Sequence, residues 1–145
     1  MSKIRVVLDT NVIVAGVSSM QGASYQLLRE IPEQSFTMLV SVPLFMEYEA
    51  TLKRKDIRKM HDLSCCDVDI WLKVWAEVCE PVPLHFLWRP QLRDPADEMM
   101  LETAINGGAQ AIVTFNVADF RKACPRFGID LWAPGTLLGR LRRTP

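Results

Sequence analysis

The chain has 145 residues, 49% of them hydrophobic, with 17 basic and 17 acidic side chains. That length and apolar content suit one globular domain over residues 1–145, and no low-complexity tract, solenoid-period repeat or Pro/Ser-rich linker divides it. Zero net charge gives no indication of bulk attraction to nucleic acid or membrane, although a local basic rim can still bind phosphates, and no run of about 18 apolar residues offers a bilayer span.

The N-terminal apolar stretch is too short for a signal peptide before Asp9 arrives. Cys65, Cys66, Cys79 and Cys124 lack C-x-x-C spacing and read as reduced thiols, which points to a cytoplasmic protein.

Ile4 to Leu8 is a short, nearly continuous apolar run, the pattern of a central strand buried on both faces. Asp9-Thr10-Asn11 interrupts the apolar residues there, either as a strand-ending turn or as a carboxylate presented at a strand end. "SYQLLREI" from Ser24 predicts a short helix stopped near Pro32, and Phe36 to Ser41 a second strand. Pro43 suits a helix start, and "LFMEYEATLKRK" places Leu44, Tyr48 and Leu52 four apart. "DVDIWLKVWAEV" predicts another amphipathic helix, with Ile70, Leu72, Val74, Trp75 and Val78 available for packing. A proline-punctuated loop with one short extended piece follows. The next helix has Asp94 as N-cap, Pro95 as first residue and Gly107-Gly108 as stop. "AQAIVTF" reads as a strand, "ADFRKACPRFG" as a short helix, "IDLWAP" as a last strand, and "GTLLGRLRR" as a closing helix or tail. This alternation predicts an α/β domain whose mostly parallel sheet is covered on both faces, with ligands bound outside the carboxyl ends of the strands.

Carboxylates fall at those ends. Asp9 follows the first strand, and Asn116 and Asp119 follow "AIVT". Asp97 shares a helical stripe with Met100, Leu101, Ala104 and Ile105, whereas Glu98 and Glu102 form a separate ridge expected to face outward. Helix-end chemistry is the competing explanation for Asp97, because a capping-box acid would occupy its position. Glu47 and Glu49 both lie on the helix after Pro43, and helical geometry does not choose between them. Carboxylates converging on one sheet edge repel one another unless a cation intervenes, and oxygen-only ligands suit Mg²⁺ or Mn²⁺.

Three blocks in order, "VVLDTNVIVAG", "MEYEATLKR" and "RDPADEMMLETAINGGAQAIVTFNVADF", resemble the PIN-domain family, close to the VapC-like toxins of bacterial toxin–antitoxin pairs. The resemblance implies a three-layer α/β/α fold with a central, mostly parallel sheet. It also implies a metal-dependent endoribonuclease that uses Mg²⁺ or Mn²⁺, with an antitoxin protein as partner and a dimer as the assembly. Carried over, Asp9, Glu47 and Asp97 match the acidic positions, with Asp94 beside them and Asn11 and Thr114 as orienting residues. Asp9 and Asp97 become metal ligands, and Glu47 a ligand or the residue polarising the attacking water. Many relatives have Asp where this chain has Asn116, so Asn116 or Asp119 would place a second metal or a water.

Arg93, Arg121 and Lys122 are candidate RNA-facing cations, each with plain surface charge as the alternative. Arg140 to Arg143 reads as an RNA or acidic-partner contact, or as a solvated tail. Trp71 and Trp75, four apart, read as helix packing or as part of an oligomer or antitoxin groove, while Trp88 and Trp132 look exposed. Two other classes of function compete: a PIN-fold module that binds RNA or protein without cutting, which Asn116 keeps open, and a phosphatase with Asp9 as nucleophile. The latter lacks the second Asp that its chemistry uses two residues on, where this chain has Asn11.

Overall fold

A computed structural model describes residues 3–85, 92 and 94–143. Its strands are β1 (Arg5–Leu8), β2 (Thr37–Val40), β3 (Glu80–Pro81), β4 (Ala111–Val113) and β5 (Asp130–Trp132). In space they run β3-β2-β1-β4-β5, and every pairing is parallel. The helices are α1 (Thr10–Ser18), α2 (Ala23–Glu30), α3 (Val42–Leu52), α4 (Lys55–His61), α5 (Cys65–Val78), α6 (Pro95–Gly107), α7 (Val117–Phe120) and α8 (Pro134–Arg143). A 3-10 turn over Cys124–Phe127 precedes β5.

Successive side chains of a strand point to opposite faces, so burial of consecutive residues means cover on both sides. Val6, Val7 and Leu8 of β1 and Ala111, Ile112 and Val113 of β4 are all fully buried. The sheet is therefore the middle of three layers, as expected, and its centre is the β1–β4 pair. Arg5 closes the amino-terminal edge: its guanidinium makes two hydrogen bonds to Glu80 and one to the Gly107 carbonyl.

Caps fix most helix starts. Ser41 accepts from the Leu44 N–H, and its hydroxyl meets that of Thr103, which donates to the Met99 carbonyl. This chain of bonds clips α3 to α6. Ser64 and Asp67 form a full capping box at the start of α5. Asp94 caps α6 through the Ala96 N–H, and Gly108 ends it at φ 64°, the left-handed conformation that glycine adopts without strain.

Three expectations from sequence need correction, and one helix was not foreseen. The residues after Asp9 form helix α1, although Val12, Ile13 and Val14 favour strand. The Asp9 cap and the complete burial of Val12 and Ile13 override that propensity. The helix after Pro43 breaks at Lys53, and α4 begins afresh at Lys55. Ile70, expected to pack, is 64% exposed, whereas Val68 and Leu72 carry that face of α5. Glu98 and Glu102, expected to face outward, are 5% and 1% exposed. Helix α6 packs against α3 and the three central strands, and the Leu92 N–H donates to the Glu98 carboxylate, which covers the side that periodicity leaves to solvent.

Candidate active site

Strand order reverses between β1 and β4. The chain steps from β1 outward to β2 and β3, then crosses back to β4 on the opposite flank of β1. Loops leaving two such strands diverge and open a crevice at their carboxyl ends, which is where open parallel sheets bind ligands. Asp9 and Thr114 are the first residues past those ends.

Asp9 is held from several directions. Its backbone N–H donates to the Val113 carbonyl at 2.9 Å, continuing the β1–β4 ladder by one bond. Its carbonyl accepts from the Val12 and Ile13 N–H groups and so starts α1. The Thr114 hydroxyl donates to Asp9 Oδ2 at 2.6 Å and accepts from the Asn116 N–H at 2.9 Å. The Asn11 N–H lies 3.4 Å from Asp9 Oδ1. The carboxylate is 4% exposed, and burial raises its pKa above the ordinary value. The Thr114 hydroxyl and the Asn11 and Thr10 N–H groups oppose that rise, and the charge of Asp119 adds to it.

Asp97 sits in the first turn of α6, half-buried, and its carboxyl is pushed up to about 6. Burial is the largest cause, followed by the negative charges of Asp94, Asp9, Asp119 and Glu98. Three elements that are remote in sequence thus bring their carboxylates within electrostatic reach: the end of β1, the start of α6 and the exposed turn α7. Asp97 does not close a capping box. At α5 the acid of the capping box, Asp67, bonds back to the Ser64 N–H at 3.1 Å, whereas among the described residues no such bond joins Asp97 to Asp94.

The other expected residues fall less tightly. Glu47 is half-buried on α3, where it accepts from the Thr51 hydroxyl at 3.2 Å and adds to the field at Arg54. It is not among the leading charges on Asp9 or Asp97. Glu49 pairs with Lys53 instead. Asn116 and Asp94 are exposed, and Arg121 and Lys122 are exposed without an ion pair among the described residues. Arg93 and Trp88 lie outside the described residues.

Two residues of the crevice escaped sequence reasoning. Tyr48, fully buried, donates its hydroxyl to the Leu8 carbonyl, and Asp9 together with burial raises its pKa. The Leu44/Tyr48/Leu52 stripe shows Tyr48 to be inward but says nothing of its polar end. Phe115, between Thr114 and Asn116 in sequence, is 55% exposed.

The donors fit a hard divalent cation in kind. All are oxygens, and their charges repel. Asn11 Oδ1 and Thr10 Oγ1, beside Asp9, are shut from solvent without a hydrogen-bond partner among the described residues. In spacing the fit is looser: among the described residues no three acidic, His or Cys side chains stand close enough to share one ion directly. Mg²⁺ keeps several waters, so carboxylates a few ångströms too far apart can bind it through them.

The fold defines the class: a three-layer α/β domain whose parallel sheet opens a crevice at its topological switch point. Residues 5–118 match the PIN domain family, and the chain belongs to it. Its fold is similar to that of a chain in the crystal structure of VapBC2 from Rickettsia felis bound to a DNA fragment from their promoter, with a TM-score of 0.60 and 16% sequence identity over 89% of this chain and 99% of that one. At that identity the likeness is one of fold. No curated protein matches the sequence.

The four cysteines are free. No helix among the described residues is long and apolar enough to cross a membrane. Trp75 is fully buried against Tyr48 at 6.4 Å between centroids, so packing is its role, and Trp132 is buried beneath Arg140 at 4.2 Å. Arg142 and Arg143 are exposed at the end of α8.

Proposed function

We propose that this PIN domain is a divalent-metal-dependent endoribonuclease, the toxin of a toxin–antitoxin pair, acting in the cytoplasm and held inactive by an antitoxin protein. The mutual charge of Asp9, Asp97 and Asp119 at the β1–β4 switch point carries the reading. Asp9 and Asp97 would hold Mg²⁺ or Mn²⁺, with Asp119 or Asn116 completing the set and Glu47 reaching in from α3. The ion supplies a water of lowered pKa and charge to set against the phosphate oxygens. Thr114 fixes Oδ2 of Asp9, and Oδ1 is held only by the long contact from the Asn11 N–H among the described residues. Asn11 offers an uncommitted oxygen beside it. Arg121 and Lys122 supply cations for the flanking phosphates, with Arg93 as a third, and Phe115 offers a ring on which an unpaired base can stack.

The VapBC2 neighbour supports an antitoxin partner by likeness of fold. The apolar hollow lined by Val42, Phe45 and Met46, with Val42 73% and Met46 62% exposed, suits either that partner or a second copy in a dimer.

The test is cleavage of end-labelled single-stranded RNA by pure protein with Mn²⁺, with Mg²⁺ and with EDTA, beside Asp9→Asn. Cutting should need metal and vanish in the variant. RNA that stays intact with wild-type protein across several sequences would defeat the nuclease reading.

A second reading has its own observation. Glu47 is committed to Thr51, and Asn116 stands where a charge would complete the set. On those grounds the domain is a binding module that grips RNA or protein and cuts weakly or not at all. Retained RNA affinity without cleavage would select it.

A further inference from the structure

Away from the switch point, the sequence 53–59 concentrates five cations: Lys53, Arg54, Lys55, Arg58 and Lys59. The structure divides them. Lys53 is paired with Glu49 and Asp69, and Arg54 with Asp56. Lys55, Arg58 and Lys59 have no ion pair among the described residues, and all three line an open cleft of about 450 Å³ with Asp62, Leu63 and Ser64. Among the described residues Asp62 is the one carboxylate lining it, and nearby Asp67 is taken up in the Ser64 capping box. Arg58 lines the cleft while its Nε is shut from solvent without an acceptor among the described residues.

The cleft is a built feature. His61, buried where α4 ends, donates through Nε2 to the Leu52 carbonyl and accepts through Nδ1 from the Leu63 N–H, both at 2.9 Å. Those bonds tie the end of α3 to the α4–α5 turn and hold Asp62 at φ 56°. Helix α4 also packs against α1, the helix that Asp9 starts.

We propose that the cleft between α4 and the start of α5 is a second anion site, which grips the phosphodiester backbone of single-stranded RNA away from the carboxylates. The proposal rests on RNA being the substrate. Its chemistry favours nucleic acid over an acidic protein, because protein partners anchor on apolar and aromatic side chains and Leu63 is the only apolar side chain lining the cleft among the described residues. The volume admits a nucleotide and exceeds what one carboxylate needs.

The experiment is fluorescence anisotropy of a labelled single-stranded RNA with the full chain in EDTA, across a salt series. Wild type is compared with Lys55→Ala/Lys59→Ala, which leaves the partly buried Arg58 in place. Thermal unfolding checks that the variant folds. Each phosphate contact contributes about 0.7 to the slope of log K against log salt, so the double variant should lose about 1.4 and bind about 25-fold more weakly at ~0.1 M salt. Lys55→Arg/Lys59→Arg should bind as wild type. An unchanged slope and affinity in the alanine variant would overturn the proposal, as would wild-type protein that does not bind RNA. Displacement of the RNA by polyglutamate as effectively as by unlabelled RNA would also overturn it, in favour of an acidic protein partner. A loss of binding in the variant, from a wild type that does not cut in Mn²⁺, would support this site while defeating the nuclease reading.

Discussion

Asp97→Asn should stabilise the protein at neutral pH, and the gain should fade in acid. In the folded chain the Asp97 carboxyl is raised from 3.8 to about 6. Between those values the folded state binds more protons than the unfolded one, so stability falls as pH rises through that window and stays lower above it. At about 1.36 kcal/mol per pH unit the shift is worth at most about 3 kcal/mol. Asp97 is only half-buried, and solvent screening reduces this to about 1 kcal/mol, or roughly 2–4 °C in Tm for a chain of this size. Asparagine keeps the shape and removes the charge. Urea unfolding of both proteins in EDTA at about pH 4.5 and 7.5 reads the effect, because any fixed cost of the substitution cancels when the two differences are compared. Divalent cation should act on the wild type in the same direction. At ten times its Kd, Mg²⁺ adds about 1.4 kcal/mol to a binding state, and the variant should gain less. A difference between the proteins that is equal at both pH values would refute the reasoning, since Asp97 would then not be held against its neighbours' charges.

Thr114→Val removes the O–H that Asp9 accepts and the acceptor that the Asn116 N–H uses. Stability should fall by about 1–3 kcal/mol and Mg²⁺ should bind more weakly, with Thr114→Ser restoring most of both; calorimetric titration giving wild-type affinity in the valine variant would remove Thr114 from the site. Gly16→Ala puts a Cβ onto the Leu28 side chain and 3.1 Å from the Ser24 carbonyl, where α1 and α2 cross. Overpacking of about 1–3 kcal/mol should outweigh alanine's helix advantage of up to about 1 kcal/mol, and an unchanged urea midpoint would contradict so close a contact.

What could be read in the sequence depended on how local its signal was. Pro95, Asp94 and Gly108 announce α6 because caps act within a few residues, and the apolar runs of β1 and β4 announce strands buried on both faces. Helix α1 was hidden because its Val-rich residues favour extended backbone, and only packing against α2, α3 and α4 makes it helical. Glu98 and Glu102 were misplaced for a related reason: periodicity assigns one face of a helix to the core, and α6 is covered on more than one. In the site, the inward stripe at Asp97 was legible, as was Asp9 at a strand end. The commitment of Glu47 to Thr51 and the hydroxyl of Tyr48 on the Leu8 carbonyl are tertiary facts, and spacing carries no trace of them.

The same chain supplies its own control for what a structural acid looks like. Asp67 and Asp97 both occupy the third position of a helix that begins after a capping residue. Asp67 closes a capping box and shows that this sequence can build one. Asp97 makes no such bond among the described residues, lies partly out of solvent, and is crowded by carboxylates from two other elements. Beside it, Asp9 is buried at a junction where hydrophobic packing alone would favour an apolar residue, and Asn11 and Thr10 leave buried oxygens uncommitted. Each of these is a local conflict with stability, and they meet at the one point where the sheet's topology opens a crevice. Ser18, Arg58 and Trp75 also leave a buried polar atom without a partner among the described residues, but at Asp9 such atoms adjoin carboxylates whose charges crowd one another. Asp67 therefore reads as structure, while no capping bond explains Asp97 among the described residues.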